Sequence, residues 1–204
     1  LAAVHFMARR TAGAMVRNAA SLGGNTMLVL SHIHDGDPFP SDVATVLSAV
    51  DASIEWMSLS TGMRQVTSFD ELVADCSSGE TVVSDILLLR YLIPRRDDGE
   101  VVFAQKVALR EVNSHAIVNA TTRFTTSGVG VSDATIVFGG LAPFPFRAAR
   151  TERALAQDTA GIDSYAGIAR VLTEEVAEVL EFWRPRMASV PDEGFTNEYR
   201  IQLA

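Results

Sequence analysis

Residues Met15–Asn25 read MVRNAASLGGN and form the most informative segment of the sequence. Its second half can form an anion cradle, because the adjacent Gly23 and Gly24 carry no Cβ and let backbone N–H groups face a phosphate. The side chains of Ser21 and Asn25 add further hydrogen-bond donors. A glycine pair between a helix and a strand is more often just a tight turn. The residues alone therefore indicate a candidate phosphate site and leave both interpretations open.

The pattern around this stretch predicts a mixed α/β unit. Apolar residues spaced from Leu1 to Met15 indicate a helix already under way at the first residue. Thr26–Leu30 is a short apolar run of the strand type. Further elements are expected at 42–50 (a helix capped by Ser41 or Asp42), 53–60 and 64–67 (a hairpin), 68–75 (a helix opened by a Ser68–Glu71 capping box) and 85–93 (a buried strand).

After Pro94 the sequence pattern changes from alternating helices and strands to consecutive strands. The charged run Arg95–Gly99 is the best linker candidate, so we expect two domains, at 1–94 and 98–204. Strands predicted at 101–109, 116–126 and 131–138 are joined by short turns, which favours an antiparallel meander. Helices are expected at about 151–156 and 164–182, and a further one opens near 199. The expected fold class is α+β: a mixed α/β subdomain followed by an antiparallel three-stranded sheet with helices.

Several residues outside the glycine pair are candidates for a site. Asp42 can accept hydrogen bonds from ribose hydroxyls, or can simply cap its helix. Lys106 interrupts an apolar strand; it points either to solvent or inward, where its ammonium can stabilise negative charge on a bound reduced cofactor. Arg110 and Glu111, which close this strand, are expected to form surface pairs. The Leu87–Leu89 run is core by default, although one of these leucines can form a floor beneath a flat ring.

Charge and cysteine content narrow the function classes. The net charge is -8, the pI is near 5.0, and the 17 basic residues are scattered, which argues against nucleic-acid and anionic-membrane partners. No apolar run reaches the roughly 18 residues that a membrane span needs. Cys76 is the only cysteine, so this chain alone can form neither an internal disulfide nor an iron–sulfur cluster. That usage fits a reducing compartment, and a cytoplasmic location is expected.

A metal site has little support in the sequence. Of the four histidines, only His32 and His34 lie close together, with Asp35 and Asp37 as the nearest acids. A polar loop is the preferred interpretation of this segment, so no metal site is predicted.

Val16–Asn25 closely resembles the flavin-domain signature of xanthine dehydrogenases, aldehyde oxidases and the medium subunit of carbon monoxide dehydrogenase. Further motifs follow in the family's order and at about its spacing. These are Phe39–Leu47, Ile86–Leu89 with Ile93-Pro94, Phe103–Arg110 with Lys106, Val131–Gly140 and Asn197–Ala204. The resemblance covers nearly the whole chain, and ordered motifs make coincidence an unsatisfactory explanation.

The resemblance implies a flavin module in three parts, of which 1–94 is similar to the second and 98–204 to the third. The family's FAD lies between the first and second parts, and the first part's glycine-asparagine-threonine phosphate loop is not found here. Ser21, Gly24 and Asn25 would contact the pyrophosphate, with Gly23 in the same cradle. Asp42 would approach the adenosine ribose.

The resemblance also implies contacts around the flavin ring itself. Leu88 would pack against the isoalloxazine, with Leu87 or Leu89 as alternatives, and Lys106 would approach the flavin edge as the catalytic residue. The family often places an aromatic ring against the flavin at the position that matches Thr11.

The activity implied is electron relay in a fragment of a molybdenum hydroxylase. A substrate is hydroxylated at molybdenum, electrons pass through 2Fe-2S clusters, and FAD delivers them to NAD or oxygen. Molybdopterin and the clusters are expected only in other parts of the enzyme, so the implied partners are the rest of the flavin module and the iron–sulfur and molybdopterin domains or subunits. The full enzyme is expected to be a homodimer, and the fragment alone inactive.

Two alternatives to this enzyme assignment remain open. One is a structural or interaction protein that kept the fold and lost flavin binding. The other is a member of the wider flavoprotein family that includes vanillyl-alcohol oxidases, which the motifs after residue 94 disfavour.

Overall fold

Two antiparallel sheets and the helices between and around them make up the fold. The computed structural model describes residues 2–34, 39–96, 98–127, 130–157, 165–187 and 194–204. The first half contains α1 (Ala2–Arg10), α2 (Ala14–Ala19), α3 (Leu22–His34), α4 (Asp42–Ala49), β1 (Ser53–Ser58), β2 (Arg64–Ser68), α5 (Phe69–Ser78) and β3 (Ile86–Leu92). The second half contains β4 (Glu100–Ala108), β5 (Ala116–Ser127), β6 (Gly130–Gly139), β7 (Phe146–Arg147), α6 (Ala149–Gln157), α7 (Tyr165–Trp183) and α8 (Asn197–Leu203).

The first sheet has the strand order β2-β1-β3 and packs one face against α3 and α5. In β1, Ile54 and Trp56 turn into this core while the residues between them are less buried, which is the alternation of a sheet with one covered face. The predicted hairpin is confirmed. The capping box is also confirmed, because Ser68 Oγ accepts from the N–H of Glu71 and the Glu71 side chain accepts from the N–H of Ser68.

The second sheet has the strand order β4-β5-β6-β7, and all of its pairings are antiparallel. The predicted meander is therefore confirmed, with one addition. The short strand β7 pairs Phe146 with Phe138 and Arg147 with Val137 at the far edge. A strand of two residues is too short to produce a periodic pattern, which explains why the sequence predicts three strands. Helices α6 and α7 cover one face of this sheet.

Helix α4 is the central element of the molecule, and every one of its residues is buried. On one side, Ala44 and Leu47 belong to the first core with Leu30 of α3. On the other side, α4 packs against β5 and β6, opposite the face that α6 and α7 cover. Its N-cap is Ser41, whose Oγ accepts from the N–H of Ala44 at 3.1 Å, so Asp42 is left free to point elsewhere.

The strand predicted at Thr26–Leu30 is wrong, because these residues lie in the middle of α3. Thr26, Val29, Leu30 and Ile33 recur at helical spacing and are all buried. This face extends beyond the five-residue window in which the run looks like a strand, and burying it against β3 and α5 favours the helix. As a consequence, the glycine pair lies in the first turn of a helix.

Two further expectations are corrected. The first helix ends at Arg10 rather than continuing to Met15, because the chain breaks at Ala12, whose φ is +49°, and restarts as α2; Met15 is left 87% exposed. Strand β3 is largely open rather than buried, since only Ile86 is fully buried and Leu87 and Leu89 are exposed.

Some predicted elements include residues that the structure does not describe. Residues 35–38 of the expected polar loop and residues 128–129 of the turn predicted between β5 and β6 are among them. The first residues of that loop, His32–His34, are instead the end of α3. Among the described helices, none is both long enough and apolar enough to cross a membrane.

Candidate functional site

A cavity of about 540 Å³ lies where the start of α3, the start of α4 and strand β4 meet. It falls within the size range of sites for small molecules and cofactors. Its walls are largely apolar with a few polar groups, and they come from both halves of the chain. The residues that line it are Thr11, Ala12, Val16, Ala19, Ala20, Ser21, Gly24, Asn25, Leu28, Phe39, Pro40, Ser41, Asp42, Lys106, Asn113, Ser114 and His115.

The first turn of α3 opens onto this cavity. Ser21 precedes the helix, and its Oγ accepts from the N–H of Gly24 at 2.9 Å, while its carbonyl accepts from the N–H of Asn25 at 3.0 Å. The N–H groups of Leu22 and Gly23 have no acceptor within the described part of the chain. Unpaired N–H groups at the positive end of a helix dipole form an anion site.

Asn25 connects this turn to the start of α4. Its Oδ1 accepts from Ser41 Oγ at 2.6 Å, and Ser41 is in turn the cap of α4. The amide is therefore held with its oxygen toward the protein. Among the described residues its Nδ2 has no acceptor, so it is available to a ligand in the cavity.

Asp42 is buried, and protein donors occupy both of its carboxylate oxygens. Oδ1 accepts from Asn119 Nδ2 at 2.6 Å, and Oδ2 accepts from Lys106 Nζ at 2.6 Å and from Thr11 Oγ1 at 3.3 Å. A carboxylate offers about four acceptor positions, so this one retains capacity for a further donor.

Lys106 points inward, which resolves the alternative left open by its position in a strand. Its side chain is 2% exposed, and Nζ donates to Asp42 and to the carbonyl of Arg10 at 3.0 Å. An ammonium has three donors, and the third has no acceptor in the described part of the chain. Lys106 is also the only lysine in the sequence; the other members of the 17 lysines and arginines are arginines.

The structure brings together Ser21, Gly24, Asn25, Asp42 and Lys106 in one cavity, but not Gly23 and Leu88. A Cβ on Gly23 would lie 4.0 Å from Leu88 Cδ1, so these two residues meet on the side of α3 that faces the first core.

Leu87 and Leu89, the neighbours of Leu88 in β3, are exposed. Leu87 and Leu89 are 42% and 40% exposed, and a bulge in the pairing with β1 falls between Leu88 and Arg90. Both side chains are therefore accessible from outside the molecule.

Sequence reasoning missed Asn119, which donates to Asp42, and the rim formed by Ala12 and Asn113. Asn119 sits inside a strand with no neighbouring motif, so only its partners in space identify it. Ala12 and Asn113 have φ of +49° and +56°, and the N–H of Asn113 donates to the carbonyl of Ala12 at 3.2 Å. Arg17 stabilises this bend by donating to the carbonyls of Thr11 and Ala12 at 2.9 and 2.6 Å.

A second, more open groove of about 550 Å³ runs along α3 next to the first cavity. It shares Gly24 and Leu28 with the first cavity and continues along Met27 to Val82 and Val83. The two spaces together form an extended, mainly apolar surface on either side of α3.

Neither the metal-ligating side chains nor the cysteine forms a reactive site in the described part of the chain. Within the described ranges, no group of three or more histidine, cysteine, aspartate or glutamate side chains could hold a metal ion. Burial raises the pKa of the Cys76 thiol to about 11, so this residue is a buried thiol and not a nucleophile.

Arg110 and Glu111 do pair at the surface, although not with each other. Glu111 lies 3.4 Å from Arg10, and Arg110 donates to the carbonyl of Asn113 at 2.9 Å.

Comparison with domain families and with sequence relatives indicates one family of proteins. Residues 1–96 match the FAD binding domain in molybdopterin dehydrogenase, and residues 103–185 match the CO dehydrogenase flavoprotein C-terminal domain. Xanthine dehydrogenase of Drosophila subobscura is 31% identical over 88% of this chain and 12% of that protein. The medium chain of glyceraldehyde dehydrogenase of Sulfolobus acidocaldarius is 29% identical over 72% of this chain and 48% of that protein.

A solved structure shares the fold. Carbon monoxide dehydrogenase of Hydrogenophaga pseudoflava superimposes with a TM-score of 0.71 over 95% of this chain and 60% of that chain, at 18% identity. This chain therefore spans less than half the length of the sequence relatives compared above and about three fifths of the structural one.

The chain belongs to the family of FAD-binding flavoprotein domains found in the molybdopterin dehydrogenases. FAD is the cofactor of these domains, whereas molybdopterin and iron–sulfur clusters belong to other parts of the enzymes.

The cavity fits the chemistry of FAD in two respects. A helix N-terminus with unpaired N–H groups and the free amide nitrogen of Asn25 suit an anionic pyrophosphate. The small side chains of Ala19, Ala20 and Ser21 leave the backbone open to close approach.

Proposed function

We propose that this chain is the second and third part of the FAD-binding module of a molybdenum hydroxylase of the xanthine dehydrogenase or aldehyde oxidase type. The division between the two parts falls in the charged segment after Pro94, giving domains at 1–94 and 98–204. The observation that carries the proposal is the open first turn of α3 beside the buried Asp42–Lys106 pair in a single cavity. The chemistry that FAD supplies when bound is the acceptance of electrons from iron–sulfur clusters and their delivery to NAD or oxygen.

The first turn of α3 is proposed to bind the pyrophosphate. The Nδ2 of Asn25, which lines the cavity, supplies a donor without any rearrangement, because it has no acceptor among the described residues. The N–H groups of Leu22 and Gly23 belong to the same turn and also have no acceptor there, although neither residue lines the cavity. Ser21 already caps the helix through Oγ, which still has its own hydroxyl proton to donate. Preformed donors of this kind lower the ordering cost of binding.

Asp42 and Lys106 are proposed to supply directional contacts rather than net charge. The two side chains neutralise each other at 2.6 Å, so the site presents the third proton of the ammonium and the remaining lone pairs of the carboxylate. Asp42 would accept from the adenosine ribose. The proposed contact of Lys106 is with the flavin edge, where a hydrogen bond in a water-poor site stabilises developing negative charge. In an extended FAD the adenosine ribose and the flavin ring lie at opposite ends, so a pair joined at 2.6 Å contacts only one of them, and the two assignments are alternatives.

The outer side of the cavity is proposed to be completed by other parts of the enzyme. The contact with the isoalloxazine is assigned to Leu88, with Leu87 and Leu89 as alternatives; these two are accessible on β3. Partner domains or subunits would carry the remaining phosphate contacts, the iron–sulfur clusters and molybdopterin, within a cytoplasmic homodimer. The isolated chain is accordingly expected to bind FAD weakly or not at all, and to be inactive alone.

Two measurements test this function. A visible spectrum of the purified 204-residue chain after gel filtration should show no stoichiometric flavin band, and a band that survives filtration would contradict the incomplete site. In the complete enzyme, Asn25→Leu should weaken FAD binding about tenfold or more, the loss of roughly one strong hydrogen bond. Gly24→Val should weaken it to a similar extent, because its side chain enters the lining of the cavity and lies against Ser21 Oγ.

A matched control is available for the glycine variant. Gly167 lies in α7, and a Cβ there meets nothing within 4 Å, so Gly167→Val should leave FAD affinity unchanged. Equal effects of the two glycine variants would point to folding and not to a site.

A further inference from the structure

A row of three residues crosses the second sheet beneath the first turn of α4. Lys106 in β4 is the partner of Asn119 in β5, and Asn119 is the partner of Gly139 in β6. Residues that are directly opposite in neighbouring strands point to the same face of the sheet. The row therefore places an ammonium, an amide and a position without a side chain next to one another, facing α4.

Asn119 and Lys106 hold the same carboxylate from two adjacent strands. Asn119 is 1% exposed, and its Nδ2 donates to Oδ1 of Asp42 at 2.6 Å, while Lys106 donates to Oδ2 at the same distance. Each donor occupies a different oxygen, so together they fix the rotation of the carboxylate about its last torsion angle. A carboxylate fixed in this way also fixes the direction in which the ammonium presents its third proton.

Gly139 provides the space that the amide of Asn119 occupies. A Cβ on Gly139 would lie 2.3 Å from Asn119 Oδ1 and 3.1 Å from Thr45 Cγ2, and the first distance is shorter than any contact that packing tolerates. Gly139 is not among the glycines with positive φ, so space and not backbone conformation requires a glycine here. Asn119 Oδ1 has no hydrogen-bond partner among the described residues, so no hydrogen bond accounts for its position against Gly139.

We propose that Asn119 is a positioning residue for the Asp42–Lys106 pair, and that Gly139 is a specific part of the site because its missing side chain lets the amide reach Asp42. The effect on FAD rests on the proposed function, since it assumes that the pair faces the cofactor. The arrangement of the pair itself does not depend on that assumption.

Lys106 makes this proposal measurable, because it is the only lysine in the chain. In the complete enzyme, reductive methylation followed by mass spectrometry of the Lys106 peptide reports the accessibility and reactivity of that ammonium. Asn119→Ala and Gly139→Ala should each raise the initial labelling rate of Lys106 about tenfold, because Asp42 then loses a donor and the pair loosens.

The double variant Asn119→Ala/Gly139→Ala separates positioning from a general loss of stability. If Gly139 acts through the amide of Asn119, the methyl group added by Gly139→Ala is accommodated once that amide is gone, and the double variant should label within about twofold of Asn119→Ala. Rates that multiply to about a hundredfold would overturn the proposal, as would labelling of either single variant at the wild-type rate. Should Gly139→Ala fail to fold, the same proposal requires that adding Asn119→Ala restore folding, and failure to do so would contradict it.

The adjacent glycine is a matched control. Gly140 has a φ of +85°, and a Cβ there would lie 2.5 Å from the carbonyl oxygen of Ile117, so Gly140→Ala should lower the unfolding temperature. The atoms nearest to a Cβ at Gly140 belong to Ile117 and Arg200, and neither Lys106 nor Asn119 is among them. Its labelling rate at Lys106 should therefore stay within about twofold of wild type at temperatures well below unfolding, and an increase equal to that of Gly139→Ala would show that labelling reports only stability.

FAD titration of the same variants distinguishes the two proposals. Asn119→Ala should weaken FAD binding about threefold to tenfold, and Asn25→Leu serves as the reference for the pyrophosphate site. If both leave FAD affinity unchanged while Asn119→Ala still labels faster, the proposed function fails and the positioning role stands. If Asn25→Leu weakens FAD binding and Asn119→Ala changes neither labelling nor affinity, the positioning role fails and the proposed function stands.

Discussion

Lys106 Nζ lies 2.6 Å from Asp42 Oδ2, and the two side chains are 2% and 4% exposed. The pair joins β4 of the second sheet to the first residue of α4, and so it links the two halves of the chain. A buried ion pair of this kind contributes little net stability compared with apolar residues of the same shape. Losing one partner, however, leaves an unpaired charge in the interior.

Removing one member of the pair should be more damaging than removing both. Lys106→Met leaves the carboxylate of Asp42 buried without a cation and should lower the free energy of unfolding by about 3–5 kcal/mol. Asp42→Asn should cost a similar amount. The double variant Asp42→Asn/Lys106→Met should cost less than either single variant, as measured by urea denaturation of all four proteins.

Lys106→Arg is the informative conservative change at this position. A guanidinium is larger and planar, and it cannot be placed where a compact ammonium donates to both Asp42 and the carbonyl of Arg10. We expect Lys106→Arg to be destabilised despite its retained charge. An unchanged denaturation midpoint would show that charge alone is required.

The start of α6 depends on Glu175, which belongs to α7. Its carboxylate is buried and accepts from the N–H groups of Arg150 and Thr151 and from Thr151 Oγ1, all within 2.9 Å. Glu175→Gln keeps the shape but replaces one acceptor oxygen by a donor, and should cost about 1.5–3 kcal/mol. Thermal unfolding measures this loss. Glu178→Gln, at an exposed neighbouring pair, is the control and should change stability by less than about 1 kcal/mol.

Asp51 links the turn after α4 to the second sheet and adopts an unusual backbone conformation. Its carboxylate lies 2.5 Å from Arg123 Nη2 and 3.6 Å from Arg147 Nη1, and its φ is +50°. Asp51→Asn keeps a residue that tolerates this conformation and should cost at most about 1 kcal/mol, less at high salt, because the side chain is 44% exposed.

The backbone contribution at Asp51 has a separate test. Asp51→Val should cost about 1–3 kcal/mol more than Asp51→Asn, since a β-branched residue is strained at positive φ. Equal unfolding midpoints for the two variants would refute a role for the backbone conformation.

Cys76 should report unfolding and contribute to a loss of stability at alkaline pH. Burial and then the charge of Asp75 raise the pKa of its thiol from 9.0 to about 11, so the folded state keeps the proton at a pH where the unfolded state has lost it. Stability from this group is complete below pH 9 and falls as pH rises toward 11. At pH 8, reaction with a thiol reagent should follow the rate of unfolding, and rapid labelling of the native protein would contradict the assigned burial.

Much of the fold was predictable because its signals are local. The capping box at Ser68, the hairpin and the strands β4 to β6 each depend on residues within a short window. The strand predicted at Thr26 was wrong because the deciding information is the helical spacing that continues to Ile33, together with its burial against other elements. Local propensity gives way to tertiary packing in such segments.

The site was predictable only in part, for a related reason. The Ser21–Asn25 cradle and Asp42 lie near one another in the chain, and a motif reveals them. Lys106 was noticed because a charge interrupts an apolar strand. Asn119 and Gly139 carry no such signal, because their role arises only from strand register and from the approach of α4.

The central claim is that the first turn of α3 forms one side of an FAD site, and amide hydrogen exchange in the complete enzyme tests it most directly. Exchange is compared with FAD bound and with FAD removed. We predict that FAD slows exchange in residues 21–25, while the exposed turn between β1 and β2 at 59–63 exchanges at the same rate in both states. Stoichiometric FAD binding with no change in residues 21–25 would contradict it.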